Sequence, residues 1–279
     1  MYFAAQKINK ILKDLKKYIY RNVRTITLHK IAVDEFETKK MPDPDSDVWE
    51  DFLISDRWGG IDTHCWFMIR FCIPDEFDGK PVIYRLLTGR EGQWDATNPQ
   101  FMIYVNDRMV QGLDVNHQEV LLTGCAKAGD TYTIGLYAYS GMNEGLFELK
   151  SSIAGLDTKT EKLYYHIKVP YDVAILLEEE DKRRIDILKF LNGAVGKLDL
   201  RKPFSKEYDS SVSCAVQYLE KEFYGSFCGK KSVTALAVGH THIDVAWLWT
   251  LAQTREKAAR SFSTVLNLMK QYPEYIFMS

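Results

Sequence analysis

Charge of one sign is the first thing this sequence lacks: 36 Lys and Arg stand against 38 Asp and Glu, a formal net charge of −2 over 279 residues. That balance gives no electrostatic case for a nucleic-acid partner or an anionic membrane surface. Long apolar runs are missing from the start of the chain, where Lys7, Lys10, Lys13, Lys16 and Lys17 break up any segment that would serve as a signal peptide or a membrane span. Cysteine is sparse and odd in number. Cys65, Cys72, Cys125, Cys214 and Cys228 have no close metal-type spacing and read as reduced thiols, so a cytoplasmic location is expected. What the sequence does have is apolar material, 46% hydrophobic and 13% aromatic, enough at this length for more than one core.

The pattern divides the chain into four stretches. Residues 1–47 open with an amphipathic helix, since Ile8, Ile11, Leu12, Leu15 and Ile19 keep helical spacing, and end in the turn-forming Met41-Pro-Asp-Pro-Asp-Ser-Asp47. Residues 48–170 read as an antiparallel, jelly-roll-like β-sandwich. Its strands are expected over Trp66–Ile73, Pro81–Leu87, Phe101–Val105, Glu119–Thr123, Thr131–Tyr139, Leu146–Lys150 and Leu163–Val169. Asn106-Asp107 has the residue types of a two-residue hairpin turn. Residues 171–231 return to helical spacing, with one helix through Ile175 to Leu191 interrupted at Asn192-Gly193 and another through Val212 to Phe223. The charged run Glu178 to Arg184 reads as a solvated surface. The whole is a multidomain α+β chain: helix, sandwich, helical connector, then residues 232–279.

That last stretch carries the chemistry. Ser232 to Val238 is almost unbroken apolar sequence, as a parallel strand covered on both faces would be. Beyond it His240, His242 and Asp244 share the parity of an extended segment and are placed to converge on one point, and imidazole with carboxylate suits a divalent metal such as Zn²⁺. Trp247 and Trp249 follow, suited to stacking on a ligand. A helix is then expected, with Leu251, Ala258, Phe262, Val265, Leu266 and Met269 on one face and Arg255, Lys257, Arg260 and Lys270 mostly off it. Strand, ligand-bearing turn and helix make the opening of a β/α unit, whose strand ends carry active sites.

Gly239-His-Thr-His-Ile-Asp-Val-Ala-Trp-Leu-Trp249, continuing through Thr254-Arg-Glu-Lys-Ala-Ala-Arg-Ser-Phe-Ser-Thr264 and Tyr272-Pro-Glu-Tyr-Ile-Phe277, resembles the start of the catalytic domain of glycoside hydrolase family 38, the α-mannosidases. The upstream architecture resembles the cytosolic and bacterial branch of that family. The resemblance implies that residues 232–279 begin a truncated (β/α) barrel, that His242 and Asp244 are zinc ligands, and that Trp247 is the aromatic under the mannose ring. His240 belongs to the signature without an implied metal bond. It further implies a retaining hydrolysis of terminal α-mannose from mannose-containing oligosaccharides through a covalent glycosyl-enzyme. The nucleophile and acid/base are expected beyond Ser279, so no catalytic residue is assigned in this chain, and the chain alone is expected to be inactive. Self-association into a homo-oligomer stays open.

Two other readings compete. In a metal-dependent amidohydrolase, His240 and His242 would both bind metal and Asp244 would not. In a non-catalytic carbohydrate-binding module built from residues 48–170, Trp58, Trp66, Trp94 and Tyr104, with Asp114, Asn116 and His117, would bind sugar, against the plainer reading of these aromatics as core. The Gln111-Gly-Leu-Asp and Asn116-His117 pattern also resembles a recurring loop of the mannosidase family's accessory domain.

Overall fold

The computed structural model describes residues 3–35, 37–94, 98–142, 144–229 and 235–278. The chain divides into two compact units, one of Met1–Arg21 with Leu156–Ala235, the other of Asn22–Gly155 with Leu236–Ser279.

The first unit is helical. Its elements are α1 (Ala4–Tyr18), α2 (Thr158–Leu176), α3 (Lys182–Val195) and α4 (Lys206–Tyr218), the last running on into a wider-turned segment, Leu219–Phe227. The expected stripe of α1 is buried at Ile8, Leu12 and Leu15, against Leu163, Ile167, Leu191, Val212 and Leu219. Leu163–Val169 is not a strand: it lies inside α2. Its buried residues, Thr160, Leu163, Tyr164, Ile167, Pro170 and Ala174, recur every three or four positions, and the Asp157 carboxylate caps the helix by accepting from Thr160 N at 2.9 Å. Helical period and cap together override the β-type residues of that run. Glu178–Asp181 forms the turn between α2 and α3, and Asp181 caps α3. Asn192-Gly193 does not interrupt α3, which continues to Val195.

The second unit is built on two antiparallel sheets. In chain order its strands are β1 (Tyr20–Ile26), β2 (Leu28–Val33), β3 (Glu50–Leu53), β4 (Trp58–Gly59), β5 (His64–Cys72), β6 (Val82–Leu87), β7 (Gln100–Val105), β8 (Arg108–Leu113), β9 (Glu119–Thr123), β10 (Thr131–Tyr139), β11 (Leu146–Phe147) and β12 (Lys150–Leu156). The larger sheet runs β3-β2-β5-β10-β7-β8 and the smaller β1-β12-β6-β9. Residues of both, among them Phe67, Phe101, Ile103, Ile134 and Leu136 from one and Val82, Tyr84, Val120 and Ile153 from the other, share one core. The expected strands form as β5, β6, β7, β9 and β10, and Asn106 (φ 48°) and Asp107 (φ 64°) make the β7–β8 hairpin turn with both residues left-handed.

The larger sheet does not alternate between buried and open positions as a half-buried strand would. Along β5 His64 through Ile69 are all buried. The outer face, where Trp66, Met102 and Tyr137 cluster, is covered by Met41, Trp49 and Ala259. Ala259 belongs to α5 (Leu251–Gln271), which lies along β8. A short parallel pair, β13 (Gly239–His240) with β14 (Phe277–Met278), flanks that helix in sequence. The buried strand expected over Ser232–Val238 is not formed in its described part: residues 235–238 carry no strand, and Leu236 is 83% exposed. A parallel strand becomes buried only between neighbouring strands, and here β14 supplies two paired residues. Residues 232–234 lie outside the described residues.

Candidate functional site

α5 faces the sheet with its polar side. Leu251, Phe262, Leu266 and Met269 of the expected apolar face are between 40% and 60% exposed, whereas Gln253, Glu256 and Arg260 are buried. The reading of Arg260 as a residue off the packed face is therefore corrected. The reason is in the partners offered by the outer sheet face, which are polar. The Gln253 amide is hydrogen-bonded to His64 Nε2 at 2.8 Å, and the Lys39 ammonium lies 2.8 Å from the Glu256 carboxylate. Arg260 donates to Gln100 Oε1, Thr264 Oγ1 accepts from Gly112 N at 3.0 Å, and Asn267 Nδ2 donates to Gln111 Oε1 at 2.6 Å. Residues 253, 256, 260, 264 and 267 recur at helical spacing and form one polar seam. That stripe was the sequence signal for the docked face.

The seam is charged at its centre. Burial alone would raise the Glu256 carboxyl, but His64 and Lys39 outweigh it and hold it below the usual carboxylate range. Burial lowers the Arg260 guanidinium to about 10 despite Glu256, Asp114 and Tyr139 nearby. Glu37, His64 and Glu256 bring three metal-type ligand atoms within 4.8 Å of one another, the one such group among the described residues. The Lys39 ammonium already sits on Glu256 and the Gln253 amide on His64, so two of the three ligand atoms are engaged within the seam as an ion-pair knot.

At the N-terminal end of α5 the chain turns from β13 through residues 241–249. Thr250 caps the helix, its hydroxyl accepting from Gln253 N at 3.2 Å, and Thr254 Oγ1 accepts from Ala246 N at 3.1 Å, holding Ala246 in a left-handed conformation (φ 56°). This folds the expected ligands together. His242 Nε2 and Asp244 Oδ1 are 3.1 Å apart, with side chains 81% and 47% exposed. His240 lines the same cavity but does not join them in a three-ligand group among the described residues. Trp247 stands 5.6 Å from Trp94 and 5.5 Å from Trp249, edge-on to both, and the Lys257 ammonium lies over the Trp249 ring at 4.0 Å.

These residues border a cavity of about 490 Å³, within the range of small-molecule sites. Its wall also includes Asp114, His117 and Gln100 of the sandwich and Arg260 of α5. Of the aromatics weighed as sugar-binding, Trp58 (3% exposed) and Trp66 (1%) are core, while Trp94 is 57% exposed on the cavity.

The segment that builds this corner, residues 232–279, matches the family model "Glycosyl hydrolases family 38 N-terminal domain". Alpha-mannosidase G of Dictyostelium discoideum is 26% identical over 252 residues, 82% of this chain and 22% of that protein. Alpha-mannosidase 2C1 of Mus musculus is 27% identical over 243 residues, 80% of this chain and 22% of that protein. The chain thus spans about a fifth of the length of these relatives. Among solved structures, a β-glucuronidase from Ruminococcus gnavus aligns with TM-score 0.37 and 13% identity, covering 49% of this chain and 30% of that one. The resemblance read from residues 239–277 is borne out: residues 232–279 match the family 38 model, and the chain as a whole is similar to proteins named α-mannosidase.

Proposed function

We propose that this chain is the amino-terminal part of a zinc-dependent, retaining α-mannosidase that removes terminal α-D-mannose from glycans. The observation that carries the reading is the His242–Asp244 contact beside Trp247, on a cavity, inside the segment that the family model matches. Two donors on one tetrahedral zinc stand roughly 3.4 Å apart, from bond lengths near 2.1 Å. The 3.1 Å separation of His242 Nε2 and Asp244 Oδ1 fits that requirement. His242 and Asp244 would hold the ion, and Trp247 would form the apolar floor beneath the sugar ring. Bound zinc supplies a Lewis acid for neighbouring sugar hydroxyls and favours the distorted ring that leads to an oxocarbenium-like transition state. The two carboxyl groups of the double displacement are assigned to no residue of this chain.

The same contact favours the mannosidase over an amidohydrolase, which would pair His240 with His242 and leave Asp244 out. We place the protein in the cytoplasm on its five free cysteines, and among the described residues no helix is long and apolar enough to cross a membrane. The test is zinc binding by competition with a chromophoric chelator. The unaltered chain should bind weakly, as two protein ligands fall short of the usual three or four, and Asp244→Asn should weaken it at least about tenfold. Equal affinity in the variant removes Asp244 from the ligand set.

A further inference from the structure

The sandwich is more than a support for α5, because its loop after β8 opens onto the cavity of His242, Asp244 and Trp247. We propose that Asp114 and His117, with Trp94, form a second sugar subsite continuous with the Trp247 floor, so that the enzyme recognises two consecutive units of an α-linked mannose chain. The proposal rests on the mannosidase reading above and extends it.

Two observations point to a second unit. Trp94 and Trp247 meet edge to face at 72°, so one flat pyranose ring cannot lie on both. A ring resting on Trp247 leaves Trp94 as a wall for the next one. The second observation is the state of Asp114. Its Oδ1 accepts from Asn116 N at 2.8 Å and His117 N at 2.7 Å, and both its oxygens lie 3.1–3.2 Å from His117 Nδ1. Burial raises the Asp114 carboxyl, but His117 and these backbone N–H groups outweigh it and keep it below the usual range, ionised at neutral pH.

A fixed carboxylate accepts hydrogen bonds from sugar hydroxyls, and His117, which holds Asp114 through Nδ1, lines the same cavity. Arg260, 8% exposed and on the same cavity wall, adds positive charge behind the carboxylate. Charge pairing of this kind keeps Asp114 in one place while leaving the aromatic surfaces to define where the rings sit. Trp94 is over half exposed, unlike the core Trp58 and Trp66.

Saturation-transfer NMR on the 279-residue chain, with methyl α-D-mannoside and an α-linked mannobiose as probes, tests the subsite. Asp114→Asn keeps most of the loop's hydrogen bonds and removes the charge. This variant and Trp94→Ala should each weaken mannobiose about tenfold, the worth of one charged hydrogen bond or stacked ring, and change methyl mannoside less than about twofold. Trp247→Ala should weaken both probes. Unchanged mannobiose binding in Asp114→Asn and Trp94→Ala, with both probes lost in Trp247→Ala, refutes the second subsite and leaves the mannosidase reading standing. Equal losses of both probes in Asp114→Asn would put Asp114 in the terminal-sugar pocket and overturn the two-unit assignment. No binding of either probe by the unaltered chain overturns both readings.

Discussion

Gly112→Ala is the sharpest probe of how α5 is held. A methyl built on Gly112 would lie 2.8 Å from Arg260 Cβ, 3.2 Å from Cγ and 3.4 Å from Cα. The nearest atoms are at the root of the side chain, so a change of rotamer cannot clear them and the helix itself has to retreat. Retreat stretches two neighbouring bonds, Gly112 N to Thr264 Oγ1 at 3.0 Å and Asn267 Nδ2 to Gln111 Oε1 at 2.6 Å. Overpacking of this kind costs about 1–3 kcal/mol. Because the strain falls on the helix and not on the sandwich core, it should appear as local opening. Hydrogen exchange should show protection of the α5 amides falling about ten- to hundredfold, while the β5 and β10 amides at the centre of the larger sheet keep theirs. Equal protection of α5 in the variant and the parent would mean that the helix is not docked through this contact, and the polar seam would lose its place as the anchor of the candidate site.

Two further predictions concern buried charge. His29 is 1% exposed, bonds Ser151 Oγ through Nε2 at 2.6 Å, and is lowered by burial from 6.5 to about 4. Between those values the unfolded chain takes up a proton that the native chain refuses, so stability is full above about pH 6.5 and falls by roughly 3 kcal/mol as pH drops to 4. Urea titrations across that range should show the slope, and His29→Gln should flatten it. Glu256→Gln leaves the buried Arg260 without its nearest carboxylate and strands Lys39, and should cost about 3 kcal/mol at pH 7 in the same assay. A loss under about 1 kcal/mol would show that the knot is solvated. Glu256 lies below the usual carboxylate range, so its contribution is present above that range and disappears only at lower pH, as the folded-state carboxyl takes its proton.

Much of the architecture was legible in the residues, and the failures have physical causes. Strands β5, β6, β7, β9 and β10 and the left-handed Asn106-Asp107 turn follow from β-branched and aromatic runs punctuated by turn residues. Strands β1 to β4, β8 and β12 have no counterpart among the strands expected from the sequence. β1 leaves Asn22 to Thr25 exposed, and β3 and β4 are four and two residues long, too short for a period to register. Leu163–Val169 shows the opposite error, in which β-type composition is overruled by a capped helix whose buried positions are set by tertiary packing.

The site was half legible for a related reason. His242 and Asp244 are neighbours in sequence, so local parity brings them together, and the structure does so at 3.1 Å. Asp114, His117 and Trp94 reach the same cavity from over a hundred residues away, a juxtaposition that no local period encodes. The polar seam is intermediate. Its period of three and four was present in Gln253, Glu256, Arg260, Thr264 and Asn267, but an amphipathic helix is ordinarily read from its apolar stripe, and here that stripe is the open one.

That inversion bears on how the site is held. A helix docked by apolar side chains can slide by fractions of an ångström at little cost, because dispersion is non-directional. The seam on α5 instead fixes register through directional bonds to His64, Gln100, Gly112 and Gln111, on three different strands of one sheet. The turn bearing His242, Asp244 and Trp247 is tied to the first two turns of the same helix by the Thr250 cap and the Ala246–Thr254 bond. The ligand turn is thereby referenced to the sandwich, and so is the loop of Asp114 and His117, which continues β8 directly. Both walls of the cavity take their positions from one sheet, the shared reference that the proposed two-ring subsite requires.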